Sequence, residues 1–253
     1  MTALLSATGI QKAFGGIVAL DDVALHVEKS KITALIGPNG AGKTTLFNVL
    51  TGFDTADAGE ITFDGERTEH LPAWKIARRG VVRTFQTPVG FPTMSVWENL
   101  LVAGSNTEWN TPMAAIFQRA RARGEDQRIT EKAVELLDGL GLGALIDSRL
   151  EELSAGDRKL VEFARQLMCE PRLLLLDEPA AGVNPEHMSR LSDLIHQIHD
   201  SGIAVLVIDH NLSFVLEVAD YVYVLANGQV ISEGTPAAVS EDPIVRQVYL
   251  GGS

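Results

Sequence analysis

Gly37-Pro38-Asn39-Gly40-Ala41-Gly42-Lys43-Thr44-Thr45 is the stretch whose reading decides the fold. Gly37, Gly42, Lys43 and Thr44 stand where the pattern G-x-x-x-x-G-K-[ST] requires them. Glycines let the backbone curl until successive N–H groups point inward at phosphate oxygens. The lysine then reaches the β- and γ-phosphates, and the hydroxyl of the next residue ligates Mg2+. The flanks agree: Lys31 to Ile36 is a β-rich apolar run, and Leu46, Val49 and Leu50 follow at helical spacing. A buried strand thus ends in a loop that opens a helix, whose N-terminus favours anions. A plain glycine-rich turn leaves the Lys-Thr pair unexplained. The expectation is a nucleoside triphosphate site cradled by residues 37 to 45.

Composition bounds what such a site serves. At 253 residues and 45% hydrophobic, the chain is long enough for one α/β core, or such a core with an inserted lobe. A net charge of −12 argues against a surface that tracks nucleic acid. The single Cys169 cannot form an internal disulfide, which fits a reducing compartment, and its apolar neighbours predict packing. No apolar run approaches the roughly 18 residues of a membrane span. Met1 to Ala7 lacks the basic start and long apolar segment of a signal peptide.

Periodicity gives the organisation. Val23, Leu25 and Val27 alternate with polar neighbours as a half-buried strand, and Glu60 to Phe63 is a strand running into an Asp64-Gly65 turn. The first 65 or so residues therefore read as an antiparallel sheet flanking the loop strand. The middle is helical, with candidates at Glu131 to Leu140 and at 158–168, where Leu160, Phe163, Ala164, Leu167 and Met168 form a stripe. Buried strands return at Leu173 to Leu176 and Ile203 to Ile208. The helical spacing of Asp193 to His199 between them implies a parallel crossover. Tyr221 to Ala226, Asn227-Gly228 and Gln229 to Ser232 read as a hairpin with a type I′ turn. Gly104 to Arg128 is polar and loosely patterned.

A second constellation closes the strand at Leu173. Asp177 and Glu178 fall at the carboxyl edge of the sheet, where ligands bind in open α/β folds. Asp177 is suited to orient Mg2+, and Glu178 to accept a proton from an attacking water. Further upstream, Leu153-Ser154-Ala155-Gly156-Asp157 precedes the 158–168 helix. Ser154 can cap it, and Gly156 allows close approach to a ligand.

In this order the landmarks resemble an ABC-type transporter ATPase. The family's Leu-Ser-Gly-Gly-Gln signature corresponds to residues 153–157, with Ala155 and Asp157 as departures. Its glutamine loop corresponds to Arg83-Thr84-Phe85-Gln86, its switch histidine to His210, its D-loop to Ala181 to Pro185, and its adenine-stacking aromatic to Phe14. The resemblance implies an α/β P-loop core with an antiparallel β-subdomain and an inserted helical subdomain. It places the core at 1–87 and 166–253 and the helical part at 88–165. It assigns ATP to Phe14, residues 37–45, Ser154 and Gly156, and Mg2+ to Thr44, Gln86 and Asp177. Catalysis falls to Glu178, His210 and Gln86. Within the family, Thr51-Gly52-Phe53, Arg83 to Gln86, Pro179 to Pro185 and Gln247 to Gly251 are similar to branched-chain, hydrophobic amino-acid importer subunits. Urea or short-amide importers and lipopolysaccharide exporters share several of these marks, and a non-transport ABC ATPase is the remaining alternative.

That resemblance implies a second ATPase subunit, two permease subunits, indirectly a solute-binding protein, no nucleic acid, and a place on the cytoplasmic face of the membrane. An added charge at Asp157 near a triphosphate points to a partner that is a different chain. Val89, Phe91, Pro92, Met94 and Trp97 are candidates for a groove that receives a membrane subunit, or for ordinary core. His196 and His199, and Arg119, Arg121, Arg123 and Arg128, read as solvated helix faces.

Overall fold

The computed structural model describes residues 3–84, 90–105, 119–181, 183 and 185–250. In chain order its strands are β1 (Leu5–Phe14), β2 (Ile17–Val27), β3 (Ile32–Ile36), β4 (Ala58–Phe63), β5 (Glu66–Arg67), β6 (Val81–Arg83), β7 (Leu173–Asp177), β8 (Ala204–Ile208), β9 (Tyr221–Ala226) and β10 (Gln229–Gly234). The helices are α1 (Lys43–Leu50), α2 (Ala73–Arg78), α3 (Val96–Gly104), α4 (Arg119–Gly139), α5 (Ala155–Met168), α6 (Pro185–Asp200), α7 (Leu212–Val218), α8 (Pro236–Glu241) and α9 (Pro243–Leu250). The chain divides into two compact units, Met1–Gln86 with Arg172–Ser253, and Thr87–Pro171. A division after residue 165 would cut α5, which runs unbroken to Met168 and is capped at Cys169.

The first unit holds two sheets. One has the order β10-β9-β3-β8-β7-β6, with β9, β3, β8, β7 and β6 parallel and β10 antiparallel at the edge. Every residue of β3, β7 and β8 is buried, as expected of mainly apolar strands in the middle of a parallel sheet. The other sheet is antiparallel, in the order β2-β1-β4-β5. Asn227 and Gly228 both take positive φ, 50° and 77°, the geometry of a type I′ turn. This turn braces the phosphate loop: the Gly228 amide donates to the Ala41 carbonyl at 3.0 Å, and its carbonyl accepts from Asp21 at 2.8 Å.

The second unit is helical. Ser95 and Glu98 form a reciprocal capping box on α3, and buried Asn99 holds the preceding loop through the carbonyls of Phe91, Met94 and Ser95. Helix α4 begins at Arg119, inside the stretch that periodicity left unassigned. Helix α5 buries Val161, Phe163, Ala164, Leu167 and Met168, and it starts at Ala155 rather than 158. The first three signature residues after Ser154 therefore form its first turn. Cys169 is exposed at the C-cap rather than packed in the core.

Candidate functional site

The phosphate loop is shaped by what surrounds it. A Cβ at Gly37 would collide with the carbonyl of Leu225 on β9, so the strand neighbour admits only glycine there. At Gly42, φ is 104° and a Cβ would lie 2.5 Å from the Ala19 carbonyl, which brings β2 alongside the loop. Lys43 opens α1 and is buried, and its Nζ donates to the carbonyls of Gly37 at 2.7 Å and Pro38 at 2.9 Å. Burial lowers the Lys43 pKa from its ordinary value, while the carboxylates of Glu178, Asp177 and Asp209 oppose that shift. Asn39, Gly40 and Thr44 are exposed, Pro38 and Thr45 half-buried, and Ala41 buried. The structure thus sets a lysine ammonium in the field of three acids, beneath open loop backbone.

Those acids come from two strand ends. Asp177 closes β7 with its side chain 3% exposed, and its Oδ2 accepts from Arg83 Nη2 at 2.6 Å. Glu178 follows with φ 49°, an uncommon conformation for a residue with a side chain, and its amide donates to the Ile208 carbonyl at 2.7 Å. Its Oε1 lies 3.8 Å from Nδ1 of exposed His210. Asp209, fully buried between β8 and His210, accepts from the amides of Ala180 and Asn211 at 2.9 Å each. It locks the segment after Glu178 to the segment carrying His210. Sequence reasoning passed over Asp209, although an acid directly after a fully apolar strand was the available signal.

Phe14 ends β1 and pairs across the hairpin with Ile17. It is 47% exposed, with Lys12 Nζ 5.1 Å from the ring centroid. Lys12 is itself held by Asp54 and Asp57, at 3.3 Å each, and by the Thr55 carbonyl at 2.7 Å. Gln86 lies outside the described residues, as does Val89. Of the remaining groove candidates, Phe91 and Pro92 are exposed, and Met94 and Trp97 are half-buried. His196 is exposed and His199 Nδ1 rests 3.2 Å from the Ile203 carbonyl. Arg128 pairs with Glu170.

The signature lies in the second unit. Ser154 caps α5, accepting from the Asp157 amide at 3.1 Å, and its hydroxyl donates to Asp157 Oδ2 at 2.7 Å. The Asp157 carboxylate therefore folds back onto the signature serine. At Gly156 a Cβ would meet, among the described residues, only Ser154 Oγ at 3.8 Å, an ordinary contact distance.

A family model described as ABC transporter matches residues 20–181, and one described as branched-chain amino acid ATP-binding cassette transporter matches residues 229–253. The chain belongs to the ABC transporter ATP-binding family. It is 39% identical over 249 residues to the high-affinity branched-chain amino acid transport ATP-binding protein BraF of Pseudomonas aeruginosa, with 98% of each chain covered. It is 37% identical over 249 residues to the corresponding protein LivG of Escherichia coli K12, again with 98% of each covered. The solved ADP conformation of MJ1267, an ATP-binding cassette of an ABC transporter, superposes with a TM-score of 0.86 at 38% identity, covering 99% of this chain and 100% of that one. This cassette is a nucleotide-binding ATPase, and the expected P-loop fold with its antiparallel and helical parts is borne out. No described helix is long and apolar enough to cross a membrane.

Thr44 and Asp177 carry a hydroxyl and a carboxylate, the hard oxygen donors that magnesium takes. Mg2+ keeps several waters and takes its remaining ligands from one or two protein oxygens and substrate phosphates.

Proposed function

We propose that this cassette powers the import of branched-chain, hydrophobic amino acids from the cytoplasmic face of the membrane. Its partners are a second, different ATPase subunit, two permease subunits and, indirectly, a solute-binding protein. The observation that carries the hydrolytic part is the convergence of Lys43, Asp177, Glu178, Asp209 and His210 at one edge of the parallel sheet. The substrate class is supported by full-length similarity to BraF and LivG, together with the match at residues 229–253.

Residues 37–45 cradle the phosphates, and Lys43 exchanges its two carbonyl partners for phosphate oxygens as they arrive. Phe14 stacks on the adenine through the ring face that Lys12 does not occupy. Thr44, Asp177 and Gln86 would hold Mg2+, which would supply charge neutralisation at the phosphates. Glu178 takes the proton of the attacking water, and His210 orients the γ-phosphate beside it. Ser154 and Gly156, at the N-terminus of α5, close over nucleotide held by the partner subunit. Among the described residues a Cβ at Gly156 would meet only Ser154 Oγ at an ordinary 3.8 Å, which supports that external role.

The altered signature supports a heterologous pair. Asp157 binds the Ser154 hydroxyl and adds negative charge where a triphosphate approaches. The complementary site, this chain's P-loop under an unaltered signature, is then the stronger one.

Deleting the encoding gene tests the substrate class. Uptake of labelled leucine, isoleucine and valine should fall, with urea uptake intact and permease subunits co-purifying with the tagged chain. Loss of urea uptake alone would contradict the amino-acid reading while leaving the ATPase in place.

A further inference from the structure

Arg83 ends the short strand β6 and is the first residue of the segment matched to the glutamine loop. It nevertheless points into the first unit, with its side chain 9% exposed. Nη2 donates to Asp177 Oδ2 and Nη1 to Asn48 Oδ1, each at 2.6 Å. The guanidinium carbon stands 5.5 Å from the Phe47 ring centre and 5.9 Å from that of Phe53. The next residue holds the same aspartate from behind: the Asp177 amide donates to Thr84 Oγ1 at 3.1 Å. Two consecutive residues thus fix both the side chain and the backbone of Asp177. Asn48, on the helix opened by the phosphate loop, fixes Arg83 in turn.

Burying an ion pair is costly unless geometry and further hydrogen bonds compensate, and an apolar pair of similar volume often serves stability as well. Here the two arms of the guanidinium fork reach two different elements, a planar, spaced geometry that the single nitrogen of a lysine does not reproduce and an apolar side chain lacks altogether. Asp177 Oδ1, by contrast, receives no hydrogen bond among the described residues. We propose that Arg83 is a positioning residue for magnesium-nucleotide binding: it pins one oxygen of Asp177 and so presents the other to the metal's water shell. Asn48 is the anchor that keeps Arg83 in register with α1. The inference rests on the reading of Asp177 as the metal-orienting carboxylate.

The test uses the full chain and the fluorescent nucleotide trinitrophenyl-ATP, titrated with Mg2+ from a chelated start. Outer partners of metal ligands typically change affinity by 10- to 100-fold, so Arg83→Met should need about ten to a hundred times more Mg2+ for the half-maximal Mg2+-dependent signal. Binding without Mg2+ should remain that of the parent. Arg83→Lys, which keeps the charge but loses the fork, and Asn48→Ala should each shift the curve in the same direction by a smaller factor. If Arg83→Met fails to fold, these two variants carry the test. Parental Mg2+ curves in the folded variants would overturn the proposal. So would an equal loss with and without Mg2+, because it would mark a merely structural ion pair. Asp177→Asn separates the two layers: a parental Mg2+ curve there would refute the metal-orienting reading itself.

Discussion

Glu178 has a backbone conformation that side chains other than Gly, Asn and Asp rarely adopt, with φ at 49°. Such strain persists only where neighbours over-determine it. The neighbours here are the Ile208 carbonyl, which accepts from Glu178, and Asp209, which accepts from Ala180. Asp209→Ala would leave the buried Ala180 amide without its acceptor, at a cost of about 1–3 kcal/mol. We expect a lower melting temperature, near-parental nucleotide affinity and turnover reduced more than the affinity. Parental turnover would show that Asp209 does not hold Glu178 and His210 in place. At Phe14 the exposed ring offers a stacking face, and Phe14→Ala should weaken ATP binding by about 1–3 kcal/mol, or roughly 5- to 150-fold. Since the ring reads no base edge, GTP should be discriminated only modestly. Unchanged ATP affinity would remove Phe14 from the site.

At the scale of elements, what was legible in the sequence followed from how the chain buries its surface. Strands β3, β7 and β8 are fully buried and almost wholly apolar, with Thr33 in β3 and the terminal Asp177 of β7 as the exceptions, and such runs announce themselves. The Asn227-Gly228 turn was legible because few dipeptides adopt positive φ twice. Helix α4 was not. From Arg119 to Arg128 it presents charged and small residues with Gly124 among them, so its first turns carry no apolar stripe. Among site residues, those in a spaced motif could be found, whereas Asp209 and Arg83 act through partners distant in sequence. Arg83 reaches Asp177 across ninety-four positions, a distance that periodicity does not register. Helix α5 raises a different matter, because its cap was foreseen but its first turn was not. There Asp157 turns back to Ser154 rather than outward. Two unit charges at roughly 6–8 Å and an effective dielectric near 20 repel by about 2–3 kcal/mol before screening. Asp157→Gln, which removes that charge and frees the Ser154 hydroxyl, should therefore lower the ATP concentration needed to close this signature over a partner's nucleotide. Measuring nucleotide-dependent pairing of the purified subunits checks this, and an unchanged midpoint would contradict it.

For the molecule as a whole, the two units carry different halves of the chemistry. The first bears the P-loop and the acids, and the second bears the signature segment, proposed to serve another subunit's nucleotide. Hydrolysis in the assembled transporter should consequently be unequal. On the proposed heterologous pairing, the site on this chain's P-loop, under a partner's unaltered signature, should do most of the work and the reciprocal site little. The measurement that tests this most directly is ATP turnover by the complete transporter with Glu178→Gln placed in this chain alone, then the equivalent change in the partner alone. Removing the proposed general base here should lower total turnover by about 100- to 10,000-fold while ATP still binds, and the partner's change should leave most of it. Half or more of the turnover surviving Glu178→Gln in this chain would contradict the account.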